Sequence, residues 1–418
     1  MQYKPTAIVL GLCPTGLAAV RGLGRCGIPV KGVDSSCWSI GFFSKYCSKL
    51  TSIDYTNPKN KLIETLVKYG RTLTEKGVLF PTSDEFLVFI AKHNKRLSKY
   101  YRFPALNEDI LDLFLNKRRF YQTCINEQVP CPKTFFPTKE DDLDSIGKQL
   151  KYPCIIKPIF SHIWARTFKA IKAIKINSIN ELYTVYRKLG TSKVQDNIMI
   201  QDLVEGDDDQ IYVFASYFDK NSVPLAIFTG KKIRQYPPRF GTAALAESVK
   251  VQEIIDLSVR FLKGVKFHGL CGVEFKRDAR DGKLKIMEVN QRVSRWYSLS
   301  ERCNINLVHI AYLDLTARNK IKTYSQKEGY KWIFIWRDLF SSLYYIRKRK
   351  LSIRRWFYSL KGPKEYAIYT FDDPLPLFIF PLYLIRQLFY YILLQIKQRI
   401  QKIDQKLNLY MYSFAKRE

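Results

Sequence analysis

The sequence predicts a mixed α/β and α+β chain: first a doubly wound parallel sheet, then a region closed by an acidic hairpin, and last a basic, helical extension. Three observations carry this. Residues 6–10, the turn Gly11-Leu12-Cys13-Pro14-Thr15-Gly16, a helical pattern of Leu17, Val20 and Leu23, and the apolar run 28–33 ending at Asp34 read as strand, glycine turn, helix and parallel strand. Two β-type runs, 272–278 and 284–290, flank the hairpin signal Arg280-Asp281-Gly282-Lys283. Beyond Thr316 the composition turns basic and aromatic.

The chain has 418 residues, enough for two or three domains with apolar cores. Its 69 Lys and Arg against 38 Asp and Glu give a formal charge of +31, which calls for an anionic partner: nucleotide, lipid surface or acidic polymer. No recognisable nucleic-acid module appears, and the basic residues spread along the whole length, so nucleic acid is not an expected partner. The 9 cysteines make no C-x-x-C pair, the 4 histidines make no metal cluster, and the first residues lack an apolar signal region. A reducing, cytoplasmic setting is therefore expected.

In the first part, residues 1–116, the glycine turn before a helix presents free N–H groups and suits an anion, against the plainer reading of a tight turn. Its G-x-x-x-x-G spacing lacks the middle glycine of a dinucleotide fingerprint. Further on, the strand-like 77–81 leaves into Thr82, Ser83, Asp84 and Glu85 at the edge where open α/β sheets bind ligands; a helix cap at Ser83 or Asp84 is the competing reading.

In the central part, residues 117–317, Lys117 opens a helix and Lys157 ends the short apolar strand before Pro158. A lysine so placed needs an anion to hold it. Ile198-Met199-Ile200-Gln201 is a strand leaving into Asp202, Leu203, Val204 and a glycine turn with three acids, Asp207, Asp208 and Asp209; its extended backbone suits a purine edge and an acid beyond it a ribose hydroxyl. Glu274 lies alone among apolar neighbours. Glu288 and Asn290 follow Leu284, Ile286 and Met287 at period two, so both point the same way. Pairing the two strands sets Glu274 opposite Glu288 and Asn290, and two carboxylates together call for a divalent cation. Arg292 and Arg295 add guanidinium groups suited to phosphate oxygens. A salt-bridged loop is the plain alternative.

Taken in order, the helix-opening lysine, I-I-K-P, I-Q-D-x-V-E-G-D, G-V-E-F and M-E-V-N-Q-R-V-S-R resemble the ATP-grasp superfamily of carboxylate–amine ligases, the last motif its carbamoyl-phosphate synthase branch. The likeness covers residues 5–317. It implies a Rossmann-like domain ahead of a two-lobed ATP-grasp fold hinged near 201–206. It also implies ATP and Mg²⁺ or Mn²⁺ as cofactors, with small-molecule carboxylate and amine substrates. Lys117 and Lys157 would hold phosphates; Gln201, Asp202, Leu203 and Val204 the adenine; Asp208, or failing it Asp207, the ribose. Glu274, Glu288 and Asn290 would ligate the metal ions, and Arg292 and Arg295 the transferred phosphoryl group. Two departures stand out: residues 159–164, including Ser161, His162 and Trp164, lack the glycines of the usual flap, and Gln291 replaces a usual proline.

The implied reaction is amide formation through an acyl phosphate, with an amino acid as amine and an envelope or lipid-linked acid as carboxylate. Phosphorylation of a small carboxylate in the carbamoyl-phosphate manner and a non-catalytic membrane-surface scaffold are the alternatives. In the last part, residues 318–418, the stretch 341–418 carries 15 Lys and Arg against 5 Asp and Glu. Leu384, Ile385, Leu388, Phe389, Ile392, Ile396, Ile400, Ile403 and Leu407 recur at helical spacing. Pro376, Pro381 and Arg386 disfavour a membrane span. Two expectations stay open: a helix on the anionic inner face of the cell membrane, or one packed on the protein or a homodimer partner.

Overall fold

The computed structural model describes residues 4–52, 61–105, 107–160, 173–190, 197–318 and 324–386. Its first sheet holds β1 (Ala7–Leu10), β2 (Val30–Asp34), β3 (Cys47–Ser52), β4 (Gly77–Pro81) and β5 (Tyr101–Arg102). Around it lie α1 (Pro14–Gly24), α2 (Lys61–Gly70), α3 (Asp84–Lys92), α4 (Asn94–Leu97) and α5 (Glu108–Leu115). All strand pairs are parallel, in the order β3-β2-β1-β4-β5. β1 is buried throughout, as a strand covered on both faces must be. The chain runs outward from β1 through β2 to β3 and then crosses back to β4 on the other side of β1, which places the crevice of such a sheet at the carboxyl ends of β1 and β4.

Two glycines shape that crevice. Gly11 has φ +91°, and a Cβ there would stand 2.3 Å from Thr82 Oγ1; a Cβ on Gly16 would meet the Gly11 carbonyl at 1.9 Å. Asp34 Oδ2 accepts from the Leu12 amide at 2.5 Å, which closes the turn.

The second sheet is antiparallel, in the order β6-β9-β7-β8: β6 (Thr134–Phe135), β7 (Cys154–Pro158), β8 (Ile174–Ile176) and β9 (Ile198–Asp202). With it go α6 (Lys117–Asn126), α7 (Asp142–Gln149) and α8 (Ile179–Gly190). Leu143, Ile146, Ile156, Leu182, Tyr186 and Ile200 form the core between helices and sheet.

The third sheet contains β10 (Ile211–Phe218), β11 (Pro224–Tyr236), β12 (Thr242–Ser248), β13 (Gly269–Arg277), β14 (Leu284–Asn290), β15 (Lys331–Ile333) and β16 (Lys364–Tyr366) in the order β14-β13-β10-β11-β12-β15-β16. Its helices are α9 (Gln252–Gly264), α10 (Trp296–Arg302), α11 (Leu307–Leu315), α12 (Ile335–Arg347) and α13 (Ile353–Ser359).

The segment after residue 318 is therefore more than helical. β15 pairs antiparallel with β12 and buries Trp332 and Ile333, completing the sheet. A three-residue strand is too short to show a period, which is why the sequence reads only as helix there. Asp373 is buried and accepts from Arg21 Nε at 2.9 Å, Ser44 Oγ at 2.7 Å and the Lys45 amide at 2.9 Å, clamping this segment to the first sheet. The apolar stripe from Leu388 to Leu407 lies outside the described residues. Among the described residues no helix is long and apolar enough to cross a membrane.

Candidate active site

The hairpin forms where expected. Gly282 takes φ +68° in its turn, and the buried Asp278 carboxylate accepts from Arg280 and Lys285, which hold it well below the usual carboxylate range despite its burial. Glu274 pairs with Glu288, Val273 with Val289 and Gly272 with Asn290, but Phe275 pairs with Ile286. Met287 is thus an extra residue, a β-bulge. Strict alternation would put Leu284, Ile286, Glu288 and Asn290 on one face. The bulge separates them: Leu284 and Ile286 stay in the core, while Glu288 and Asn290 turn to the other side. It also means that Asn290 faces Gly272, not Glu274.

Several cations surround the carboxylates. Lys232 Nζ, on β11 and nearly inaccessible, lies 2.8 Å from Glu274 Oε2. Asn290 Nδ2 donates to Glu288 Oε1 at 3.0 Å. The Glu288 side chain reaches solvent; neighbouring protein atoms desolvate it and favour its protonated form, yet Asn290, Lys232, Lys117 and Arg292 outweigh this and lower its pKa. Lys157 is the next-to-last residue of β7, half-buried, with Nζ 3.3 Å from Gln201 Oε1. Burial first, and then the neighbouring charge of Lys117, depress its pKa from 10.5 to about 8. Burial likewise lowers Lys117, at the first position of α6, although Glu288 and Asp84 oppose it. Two ammonium groups desolvated beside one another fit an anion, and two carboxylates with an amide fit a hard cation that keeps part of its water. Among the described residues no cluster of three or more His, Cys, Asp or Glu forms a ready-made cage, so any cation held there would lean on that smaller set.

The arginines lead from the hairpin to the crevice of the first sheet. Arg292 Nε donates to Asp84 Oδ1 at 2.7 Å and Nη2 to Asn290 Oδ1 at 2.9 Å. Ser83 caps α3 by position, as the competing reading of this loop anticipates, and Asp84 serves to hold Arg292. Arg295 Nη1 donates to Thr242 Oγ1 at 2.8 Å, and Arg337 Nη1 from α12 donates to the same oxygen at 2.7 Å. Among the described residues neither has an acidic partner within 4.0 Å. Burial lowers both pKa values, Arg337 to about 10 with Arg295 as a second cause. Arg337 and Lys232 are missed by sequence reasoning. Lys232 had a signal: Gly230, Lys232 and Arg234 recur at period two in a strand, and both basic side chains are buried.

The hinge departs from expectation. Gln201 and Asp202 belong to β9, and both are buried. Gln201 bridges Lys157 and Thr134, its Nε2 donating to Thr134 Oγ1 at 2.7 Å, while Asp202 Oδ1 accepts from the Lys151 amide at 3.0 Å. Their side chains position neighbours. The carbonyls of Leu203 and Val204 accept from Arg280 Nη2 at 2.6 Å and Lys276 Nζ at 2.8 Å. Asp208 does not suit a ribose: it is buried, with Oδ1 accepting from Gln235 Nε2 at 2.7 Å and the Arg239 amide at 3.2 Å, and Oδ2 from the Tyr345 hydroxyl. It ties α12 to the sheet. The fallback, Asp207, is exposed and pairs with Lys350 Nζ at 3.1 Å. Ser161, His162 and Trp164 of the glycine-less flap lie outside the described residues. Gln291 Nε2 reaches the Ile110 and Leu111 carbonyls at 3.5 and 3.4 Å, contacts a proline could not make.

Comparison with known proteins shows what the chain resembles. Residues 200–313 match the family described as carbamoyl-phosphate synthase L chain, ATP binding domain. A D-aspartate ligase of Enterococcus faecium is 22% identical over 244 residues, 56% of this chain and 58% of that protein, so the chain matches little more than half of that relative's length. N5-carboxyaminoimidazole synthetase from Staphylococcus aureus, solved with ADP, superposes with TM-score 0.60 at 13% identity, over 78% of this chain and 81% of that one. An L-amino acid ligase from Bacillus licheniformis superposes with TM-score 0.56 at 14% identity, over 77% and 78%. The chain thus shares its fold with these ATP-grasp proteins and resembles them in sequence over residues 200–313.

Proposed function

We propose that the protein is an ATP-dependent ligase that joins a carboxylate to an amine, through an acyl phosphate. The observation that carries this is the register of the hairpin, which sets Glu274 against Glu288 beside the desolvated pair Lys157 and Lys117. In this reading the lysines hold ATP phosphates, and Glu274, Glu288 and Asn290 hold Mg²⁺, which neutralises charge on the phosphates when bound. Arg292, oriented by Asp84 and Asn290, stabilises charge on the phosphoryl group in transfer. Arg295 and Arg337 hold an acidic group of the acceptor at the crevice of a Rossmann-like first domain, residues 1–116, ahead of the ATP-grasp unit, 117–317. The D-aspartate ligase and L-amino acid ligase among the similar proteins support an amino acid as amine.

Glu288→Gln tests the assignment. It keeps the side-chain shape and removes one charge from the metal clamp, so phosphate release should fall about a hundredfold or more with the fold intact. Wild-type turnover in that variant would refute the site.

A further inference from the structure

Helix α12 is inside out. Its inner face is polar: Asp338 accepts from Arg234 Nε and Nη2 at 2.7 and 3.1 Å, Ser341 Oγ donates to the Gln235 carbonyl at 2.9 Å, and Ser342 is buried beside them. Its outer face is apolar. Trp336, Phe340, Leu343 and Tyr344 follow at helical spacing and stand 50%, 54%, 41% and 37% exposed. A helix that serves only its own domain shows the reverse pattern.

The next helix extends the same surface. α13 buries no residue and is held by Trp356 Nε1 donating to Asp338 Oδ2 at 3.0 Å and Arg234 Nη1 donating to Ser359 Oγ at 2.9 Å. Ile353, Phe357 and Tyr358 stand open. Between the helices run Arg347, Lys348, Arg349 and Lys350, and α13 adds Arg354 and Arg355. From residue 335 to 361 there are 8 basic residues and 1 acid, the buried Asp338. Among the described residues only Lys350 of the six named here has an acidic partner within 4.0 Å, and that partner is Asp207.

Exposed aromatic and aliphatic side chains beside unneutralised cations are the composition of a surface that lies in a lipid headgroup region. A protein partner of ordinary composition would leave those cations facing one another. We propose that the outer faces of α12 and α13 form a docking surface for an anionic lipid bilayer, with the apolar side chains entering the headgroup boundary and the arginines and lysines meeting the lipid phosphates. This surface is built from residues 335–361 and uses none of the apolar stripe of residues 388–407. Docking there also bears on the acceptor: α12 carries Arg337 on its inner side, so the bilayer would lie about one helix diameter, roughly 10 Å, from the crevice, within reach of a lipid-borne substrate. That consequence rests on the ligase reading; the docking does not.

The test is co-sedimentation of the full chain with phosphatidylcholine vesicles, with and without phosphatidylglycerol, at low and high salt. Three proteins are compared: wild type, Phe340→Ser with Phe357→Ser, and Arg347→Gln with Arg349→Gln and Arg354→Gln. All these positions are exposed, and a cooperative melt checks each fold; single Phe357→Ser and Arg347→Gln variants stand in for any that fails. The expected result is salt-sensitive binding of wild type to phosphatidylglycerol vesicles, weakened at least about tenfold in both variants. Indifference of wild type to phosphatidylglycerol, or wild-type binding by either variant, would overturn the proposal. So would a lipid-free, concentration-dependent dimer that the variants abolish, since it would make the face a contact between copies of the chain. Phosphate release from ATP, measured without vesicles, reports separately on the ligase reading.

Discussion

Replacing Lys157 by methionine should make the nucleotide-free protein more stable while weakening its hold on ATP. The reason is electrostatic: burial and Lys117 lower the Lys157 pKa from 10.5 to about 8, so the folded state disfavours the ammonium form. Between about pH 8 and about pH 10.5 the unfolded chain binds more protons here than the folded one, so this group's contribution to stability rises with pH across that window. Below it the ammonium is present in both states and costs the fold about 3 kcal/mol, taking roughly 1.4 kcal/mol per pKa unit. Methionine keeps the apolar stem and removes the charge. Urea denaturation in a metal chelator should then show the variant more stable than wild type by about 1–3 kcal/mol near pH 7, with the gap closing towards pH 10. A non-hydrolysable ATP analogue at a hundred times its wild-type Kd stabilises wild type by about 2.7 kcal/mol; the variant should gain at least about 1.4 kcal/mol less. A variant less stable than wild type at pH 7, or a gap that ignores pH, would refute the picture of a strained ammonium waiting for phosphate.

Arg337→Ala should reduce kcat/KM for the acceptor about ten- to a hundredfold and leave ATP-analogue affinity unchanged, because the side chain donates to Thr242 and neighbours Arg295, and neither lysine feels its charge; matched losses for both ligands would mean it serves the fold. Asp373→Ala should cost about 3–5 kcal/mol in urea unfolding, since it leaves Arg21 buried without its carboxylate; unchanged stability would remove the clamp between the last described segment and the first sheet. Asp208→Asn should leave ATP-analogue affinity untouched, as its oxygens serve Gln235, Arg239 and Tyr345; a tenfold loss would restore it to the nucleotide site.

What was legible in the sequence was local or periodic. The glycine turn, the Arg280–Lys283 hairpin and the two lysines at element ends all declare themselves within a few residues. The pairing of Glu274 with Glu288 followed from the hairpin, but its face did not, because one extra residue at Met287 inverts the alternation and leaves no compositional mark. Asp208 was misassigned for a different reason. An acidic run after a strand looks solvent-facing, and the hydroxyl that buries it, Tyr345, lies 137 residues away. Arg337 was hidden by the same distance: only the fold brings α12 to Thr242. The exposed face of α12 was also out of reach, since an amphipathic pattern gives the period of a helix and not which side meets the protein.

The central claim is that a substrate carboxylate is phosphorylated before the amine attacks. If so, one carboxylate oxygen must leave with the phosphate. The measurement is mass spectrometry of phosphate and organic products after incubation of the full chain with ATP, Mg²⁺, pooled amino acids and pooled carboxylates labelled with heavy oxygen. The account predicts labelled phosphate together with a product whose mass is that of carboxylate plus amine less water, both missing with Glu288→Gln. Unlabelled phosphate, or a joined product formed equally well by Glu288→Gln, would contradict it.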